Sequence, residues 1–295
     1  MAHRRHTGSV LTVLSSSSLL PARFVHLHPG EDSEDLVLEE PVELDIGENL
    51  LGIGKMWRTC GETKSVEYPQ YQQSPSPLCI AWTEVGSDIP AGEPRAFLTV
   101  VESSLESLME EVVDVTSHSL ADLLKSHTEG WNSLWEDGVV IVEGEDEHLE
   151  RSVLAAQYYL FLSLPFPELA SRPLSEYCGL SPGGLANGLL GQDYQGHSFW
   201  DTESWMFPAL LLLQPRTARA LLDYRLNRSQ QRCQRFSTKK TVLHRLDQAR
   251  DYAAATGWSG ARFPWESAFT GGEVLFLDLR GISFLLRRTF IFFMR

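Results

Sequence analysis

The hydrophobic period of this chain changes once, near Val101, and that change limits the folds open to it. Before it, apolar residues come in brief runs: Val10 and Val13, Leu36-Val37-Leu38, Val42 with Leu44 and Ile46, and Phe97-Leu98-Thr99-Val100-Val101. Pro29-Gly30 and Gly47 punctuate these runs, as turns between strands do. After Val101, the residues Leu105, Leu108, Val112 and Val115, then Leu120, Leu123 and Leu124, recur at helical spacing, which gathers them on one stripe. Trp131, Leu134 and Trp135 continue it. A second helix is predicted over 147–164, where Pro165 and Pro167 stop it, with Leu149, Val153, Ala156 and Leu160 on its apolar face. Further helices are predicted over 205–213, 216–226 and 246–256, the last ended by Gly257. Strands first and helices afterwards predict a multidomain α+β protein.

Charge follows the same division. The formal net charge is -14, which disfavours broad attraction to nucleic acid or an anionic membrane. Residues 1–150 hold 8 basic and 28 acidic side chains, and residues 151–295 hold 17 and 11, as two differently built halves would. The positive sign of the second half comes from two segments. Residues 225–245 contain seven basic side chains and no acidic one, and residues 275–295 contain four and one. The first reads as a surface insertion rather than a nucleic-acid patch, because Phe236 alone interleaves the cations. The second is read either as a helix with an incomplete partner surface or as a non-native tail. Glu31, Asp32, Glu34 and Asp35 read as a solvated turn, without the regular spacing of a cation site.

The longest uncharged apolar stretch is 204–215, interrupted by Pro208. It falls short of the roughly 20 residues that span a bilayer, so no membrane helix is expected. Arg4 and Arg5 ahead of Val10-Leu11-Thr12-Val13-Leu14 imitate a signal peptide, but Ser15 to Ser18 break the run, and a strand with a serine-rich turn is the reading. Cys60, Cys79, Cys178 and Cys233 form no CxxC and no metal-ligand cluster. Free thiols in a reducing, cytoplasmic setting, with no metal and no cofactor, are the expectation.

The densest chemical signal is Gly191-Gln192-Asp193-Tyr194-Gln195-Gly196-His197-Ser198-Phe199-Trp200-Asp201-Thr202-Glu203. Asp201, just before a helix, has the position of an N-cap whose carboxylate accepts backbone N–H groups. The company it keeps supports a second reading. A sugar site needs a carboxylate that accepts bonds from adjacent hydroxyls and a flat apolar surface for the ring, and Asp201 and Trp200 supply both side by side. The loop Gly179-Leu180-Ser181-Pro182-Gly183-Gly184 is long enough to line such a site, and Gly260-Ala261-Arg262-Phe263-Pro264-Trp265-Glu266-Ser267 repeats the mixture of aromatic, cation and carboxylate. His197 is open to two roles, catalytic base or hydrogen-bonded structural residue.

Gly196-His197-Ser198-Phe199-Trp200-Asp201-Thr202-Glu203 with Trp205-Met206-Phe207-Pro208, and then the 260–267 segment, resemble glycoside hydrolase family 65. Gly179-Leu180-Ser181-Pro182-Gly183-Gly184 and Leu222-Asp223-Tyr224-Arg225 extend the resemblance, which runs from about Leu120 to Val274 apart from the basic segment. It implies an N-terminal β-sandwich remnant over 1–101, a helical linker over 102–146, the first part of an (α/α)6 barrel over 147–274 with an insertion at 226–245, and a divergent tail over 275–295. It also implies substrate contacts from Trp200, Asp201 and Glu266. The implied reaction is inverting removal of the terminal glucose from glucosyl-galactosyl-hydroxylysine units of collagen, or from related α-glucosides. The family's general acid lies in a Gly-Pro-Asp-Glu-Tyr-like segment that this sequence lacks, and it is expected beyond Arg295. The chain is therefore expected to be a truncated or alternatively spliced form with impaired catalysis. The alternative is a non-catalytic carbohydrate-binding or interaction protein.

Overall fold

The computed structural model describes residues 8–19, 36–66, 74–86, 88–144, 146–162, 164, 179–183, 196–228, 253–254, 257, 259 and 265–268. The described residues divide into two compact units, one up to Leu134 and one from Trp135 onward.

The first unit is an antiparallel sheet with helices on one face. Its strands are β1 (Ser9–Leu14), β2 (Leu36–Leu38), β3 (Val42–Leu44), β4 (Met56–Thr63), β5 (Pro77–Thr83) and β6 (Arg95–Glu102), in the order β1-β6-β5-β4-β2, with β3 also paired to β4. β6 is bounded by Ser9 opposite Val100 on one side and Ala81 opposite Val100 on the other. Two helices follow, α1 (Leu105–Thr116) and α2 (Leu120–Asp137). The hydroxyl of Ser104 caps α1 by accepting the Ser107 N–H at 3.1 Å. Ser119 begins α2 in the same way, accepting the Asp122 N–H, while its hydroxyl donates to the Asp122 carboxylate and holds that carboxyl below its usual pKa.

The helical stripe meets alternate residues of the sheet. Leu108, Val112 and Val115 of α1 and Leu123 of α2 share one core with Leu44, Met56, Ala81, Ala96, Leu98 and Val100. Leu105, expected on that stripe, is 40% exposed because it occupies the first helical position, ahead of the first full turn. Glu31 to Asp35, expected to form a solvated turn, lie outside the described residues, as does the tail over 275–295.

One expectation is corrected here. Cys60 and Cys79 are joined in a disulfide, so they are not free thiols. The reason is register: β4 and β5 place the two residues directly opposite each other, which a separation of 19 along the chain does not reveal. The argument from free thiols to a reducing compartment falls with it. Cys178 and Cys233 lie outside the described residues. Reducing the bond, or replacing both cysteines by alanine, is expected to destabilise this unit by about 3 kcal/mol, the scale for a closed loop of this length. Urea unfolding with and without dithiothreitol checks it, and coincident curves would refute the pairing.

The second unit is helical. Its elements are α3 (Glu147–Leu162), the short strand β7 (Ser198–Phe199), a π-helical turn (Thr202–Met206), α4 (Phe207–Leu213), α5 (Pro215–Arg228) and the short strand β8 (Glu266–Ser267). α3 matches the helix predicted from Glu147 in place but not in its buried face: Leu149 and Ala156, expected on the apolar side, are exposed, and the buried residues are Gln157 and Phe161. Buried Gln157 ties the preceding segment to it, accepting the Val140 N–H at 2.6 Å and donating to the Val140 carbonyl at 3.0 Å. The Trp135 and Phe161 rings pack 5.2 Å apart. α4 and α5 pack on each other, and Gln214 between them donates from its side chain to the Gly138 carbonyl. Of the helix predicted over 246–256, only Ala253 and Ala254 are described, and they are helical. Among the described residues, no helix is long and apolar enough to cross a membrane.

Candidate functional site

The site begins with a two-residue bridge. β7 pairs antiparallel with β8, Ser198 opposite Ser267 and Phe199 opposite Glu266. Trp200 leaves β7 where Trp265 enters β8, and their rings stack with centroids 5.3 Å apart at 30°. Trp205 lies edge-on to Trp200 at 6.2 Å and is 70% exposed. His197 precedes β7, and its Nδ1 lies 2.7 Å from Glu266 Oε1, the imidazole N–H donating to the carboxylate. His197 is thus a hydrogen-bonded partner of Glu266, and both side chains are largely enclosed.

Asp201 does not act as the cap its position suggested. Helical structure already starts at Trp200, and Asp201 sits inside it at φ -57 and ψ -34, with no side-chain cap hydrogen bond. The turn after it is wider than an α-turn: the Phe207 N–H reaches back to the Thr202 carbonyl. Pro208, which has no N–H to give, follows at the start of α4. The half-buried Asp201 carboxylate has no hydrogen bond or ion pair among the described residues. Trp200, Asp201 and Glu266 therefore all belong to the two segments that the β7–β8 bridge brings together.

Beneath this surface lies a polar cluster in which the sequence reading assigned no roles. The Arg225 guanidinium grips Glu203 through Nε at 2.6 Å and Nη2 at 3.1 Å, and its Nη1 donates to the Ser267 hydroxyl at 2.6 Å. Tyr224 donates its hydroxyl to the Ala268 carbonyl at 2.7 Å and lies 3.1 Å from the Ser267 hydroxyl. Arg225 opens the basic run but belongs to the Leu222-Asp223-Tyr224-Arg225 match, ahead of the insertion expected at 226–245, and it is buried at 7% exposure. The burial has a simple cause: Glu203 lies 22 residues upstream and compensates the charge, and a count of nearby cations cannot see it.

The 179–183 loop closes the cluster from a third direction. Thr202 donates to the Leu180 carbonyl at 2.5 Å, and Leu180 and Ser181 are buried. Gly179 has φ +95, and a Cβ there would lie 2.7 Å from the Tyr224 ring and 2.9 Å from Ser198. Gly179→Ala therefore combines a left-handed backbone with a clash against the residue that holds β8. A loss of about 2 kcal/mol or more is expected in urea unfolding, and a loss below 0.5 kcal/mol would mean that the loop does not pack as described.

Stacked indoles, an adjacent residue whose carboxylate has no hydrogen bond or ion pair among the described residues, and a second carboxylate oriented by histidine are the furnishings of a carbohydrate-active protein. The comparisons with known proteins identify the kind. Residues 184–282 match the glycosyl hydrolase family 65 central catalytic domain. It is 35% identical over 220 residues to a protein-glucosylgalactosylhydroxylysine glucosidase from Gallus gallus, a match covering 72% of this chain and 28% of the relative. A protein of the same name from Dictyostelium discoideum is 40% identical over 183 residues, 61% of this chain and 22% of the relative. A kojibiose hydrolase from Flavobacterium johnsoniae is 38% identical over 151 residues, 51% of this chain and 18% of the relative. The chain thus spans less than a third of the length of each of these three relatives. In fold it resembles a putative kojibiose phosphorylase from human microbiome, with a TM-score of 0.55 at 15% identity, over 94% of this chain and 35% of that one.

Proposed function

We propose that the chain carries the glucose-holding part of a family 65 glycosidase site, in which Asp201 binds adjacent hydroxyls of the terminal glucose, Trp200 faces the ring and Glu266 supplies a further contact. The substrate is the glucosyl-galactosyl-hydroxylysine unit of collagen; several relatives are named for the glucosylgalactosylhydroxylysine part of it. Domain limits follow the resemblance: a sandwich-derived region over 1–101, a linker over 102–146, barrel helices over 147–274 and a divergent tail. The observation that carries the reading is the half-buried Asp201 carboxylate, which has no hydrogen bond or ion pair among the described residues and follows Trp200 of the Trp200–Trp265 stack. A carboxylate half removed from water without a partner is costly, and sugar hydroxyls are the donors that would satisfy it.

The reaction is inversion. A carboxylic acid protonates the glycosidic oxygen while a second carboxylate activates water on the opposite face, and the two groups stand roughly 6.5–9.5 Å apart to admit that water. One further reading, non-catalytic carbohydrate binding, needs the contacts of Trp200, Asp201 and Glu266 but no general acid.

The test is incubation of the purified chain with glucosyl-galactosyl-hydroxylysine, following free glucose and tryptophan fluorescence together. Saturable quenching by glucose is expected. Quenching with glucose release supports the glycosidase reading, and quenching without release supports binding alone. No response of the indoles to glucose or to the glycoside would refute the site.

A further inference from the structure

We infer that Arg225 is a positioning residue, whose guanidinium fixes the turn bearing Asp201 against the strand bearing Glu266. The inference rests on the proposed sugar site. Among the described residues, the backbone ladder between the two segments is the two residue pairs of β7 and β8, too short to set their angle by backbone hydrogen bonds alone. Arg225 spans them: its fork holds Glu203, two positions after Asp201, and its remaining arm holds Ser267, the residue after Glu266. These bonds come from α5, a third element, so the angle between turn and strand is set by a rigid planar group. Tyr224, next to it, holds Ala268 and so fixes β8 a second time. The Trp200–Trp265 stack is the visible result of that angle.

A bidentate guanidinium cannot be replaced here by a point charge. A lysine ammonium has no planar fork, so one of the Glu203 and Ser267 contacts is lost or both lengthen. The consequence falls on the sugar contacts rather than on the sheet unit, whose residues the cluster does not include. A misplacement of about 1 Å at such a site costs on the order of 100-fold in function.

The experiment uses the full chain with Arg225→Lys and Arg225→Met, and Trp265→Phe as reference. The near-ultraviolet circular dichroism of the indole stack is the difference between wild type and Trp265→Phe, and it needs no ligand. Arg225→Met is expected to lose that signal with its far-ultraviolet spectrum unchanged, and to bind glucose about 100-fold more weakly. Arg225→Lys is expected to keep part of the signal and to bind about 10-fold more weakly. If Arg225→Met fails to fold, Arg225→Lys decides. A folded variant of either kind with the wild-type stack signal and wild-type glucose affinity would overturn the inference. Failure of the sugar reading looks different: wild type would not respond to glucose, while the Arg225 variants would still lose the stack signal.

Discussion

Asp201→Asn is expected to weaken glucose binding by about 100-fold while leaving thermal stability unchanged. A carboxylate accepts hydrogen bonds from two neighbouring hydroxyls, whereas the amide offers one acceptor and turns a donor toward the other. Bonds to a charged acceptor contribute about 1.5–3 kcal/mol each, so losing one of them reaches this magnitude. Stability is spared because Asp201 makes no cap hydrogen bond. A capping aspartate behaves in the opposite way, costing about 1 kcal/mol of stability when replaced by a residue that cannot cap, with no effect on a ligand. Fluorescence titration and a thermal melt on the same variant therefore separate the two roles. Normal binding with a lowered melting temperature would return Asp201 to the cap role.

The second large effect belongs to the sheet unit. Leu98→Ala is expected to destabilise by about 2–5 kcal/mol, since Leu98 is fully enclosed between β6 and the helices and the cavity collapses only in part. Val101, three residues along the same strand, is 42% exposed and lies on the other face. Val101→Ala should fall within about 0.5 kcal/mol of wild type. Urea unfolding of both variants checks the alternation, and equal losses would mean that the register of β6 is wrong.

What could be read from the sequence was whatever near neighbours along the chain decide. The strand runs, α1 and α2 followed from period, and α3 followed from its start and its proline stop. Trp200 beside Asp201 is a local juxtaposition, and so it was visible. The π-helical turn was not: its first residue, Thr202, donates to the Leu180 carbonyl 22 residues away, a contact that no local pattern shows.

By itself, then, the sequence determined a strand-rich front, a helical back and the chemical types available at the site, because hydrophobic period and adjacency are properties of neighbouring residues. Tertiary structure alone decided the pairings that give those residues their surroundings. Cys60 meets Cys79 across a strand register, His197 meets Glu266 over a separation of 69, and Arg225 meets Ser267 over 42. Such contacts form only where packing has already closed the loops between them, so no local pattern encodes them. For the same reason a cation counted in the basic run became the buried clamp between the two segments of the site.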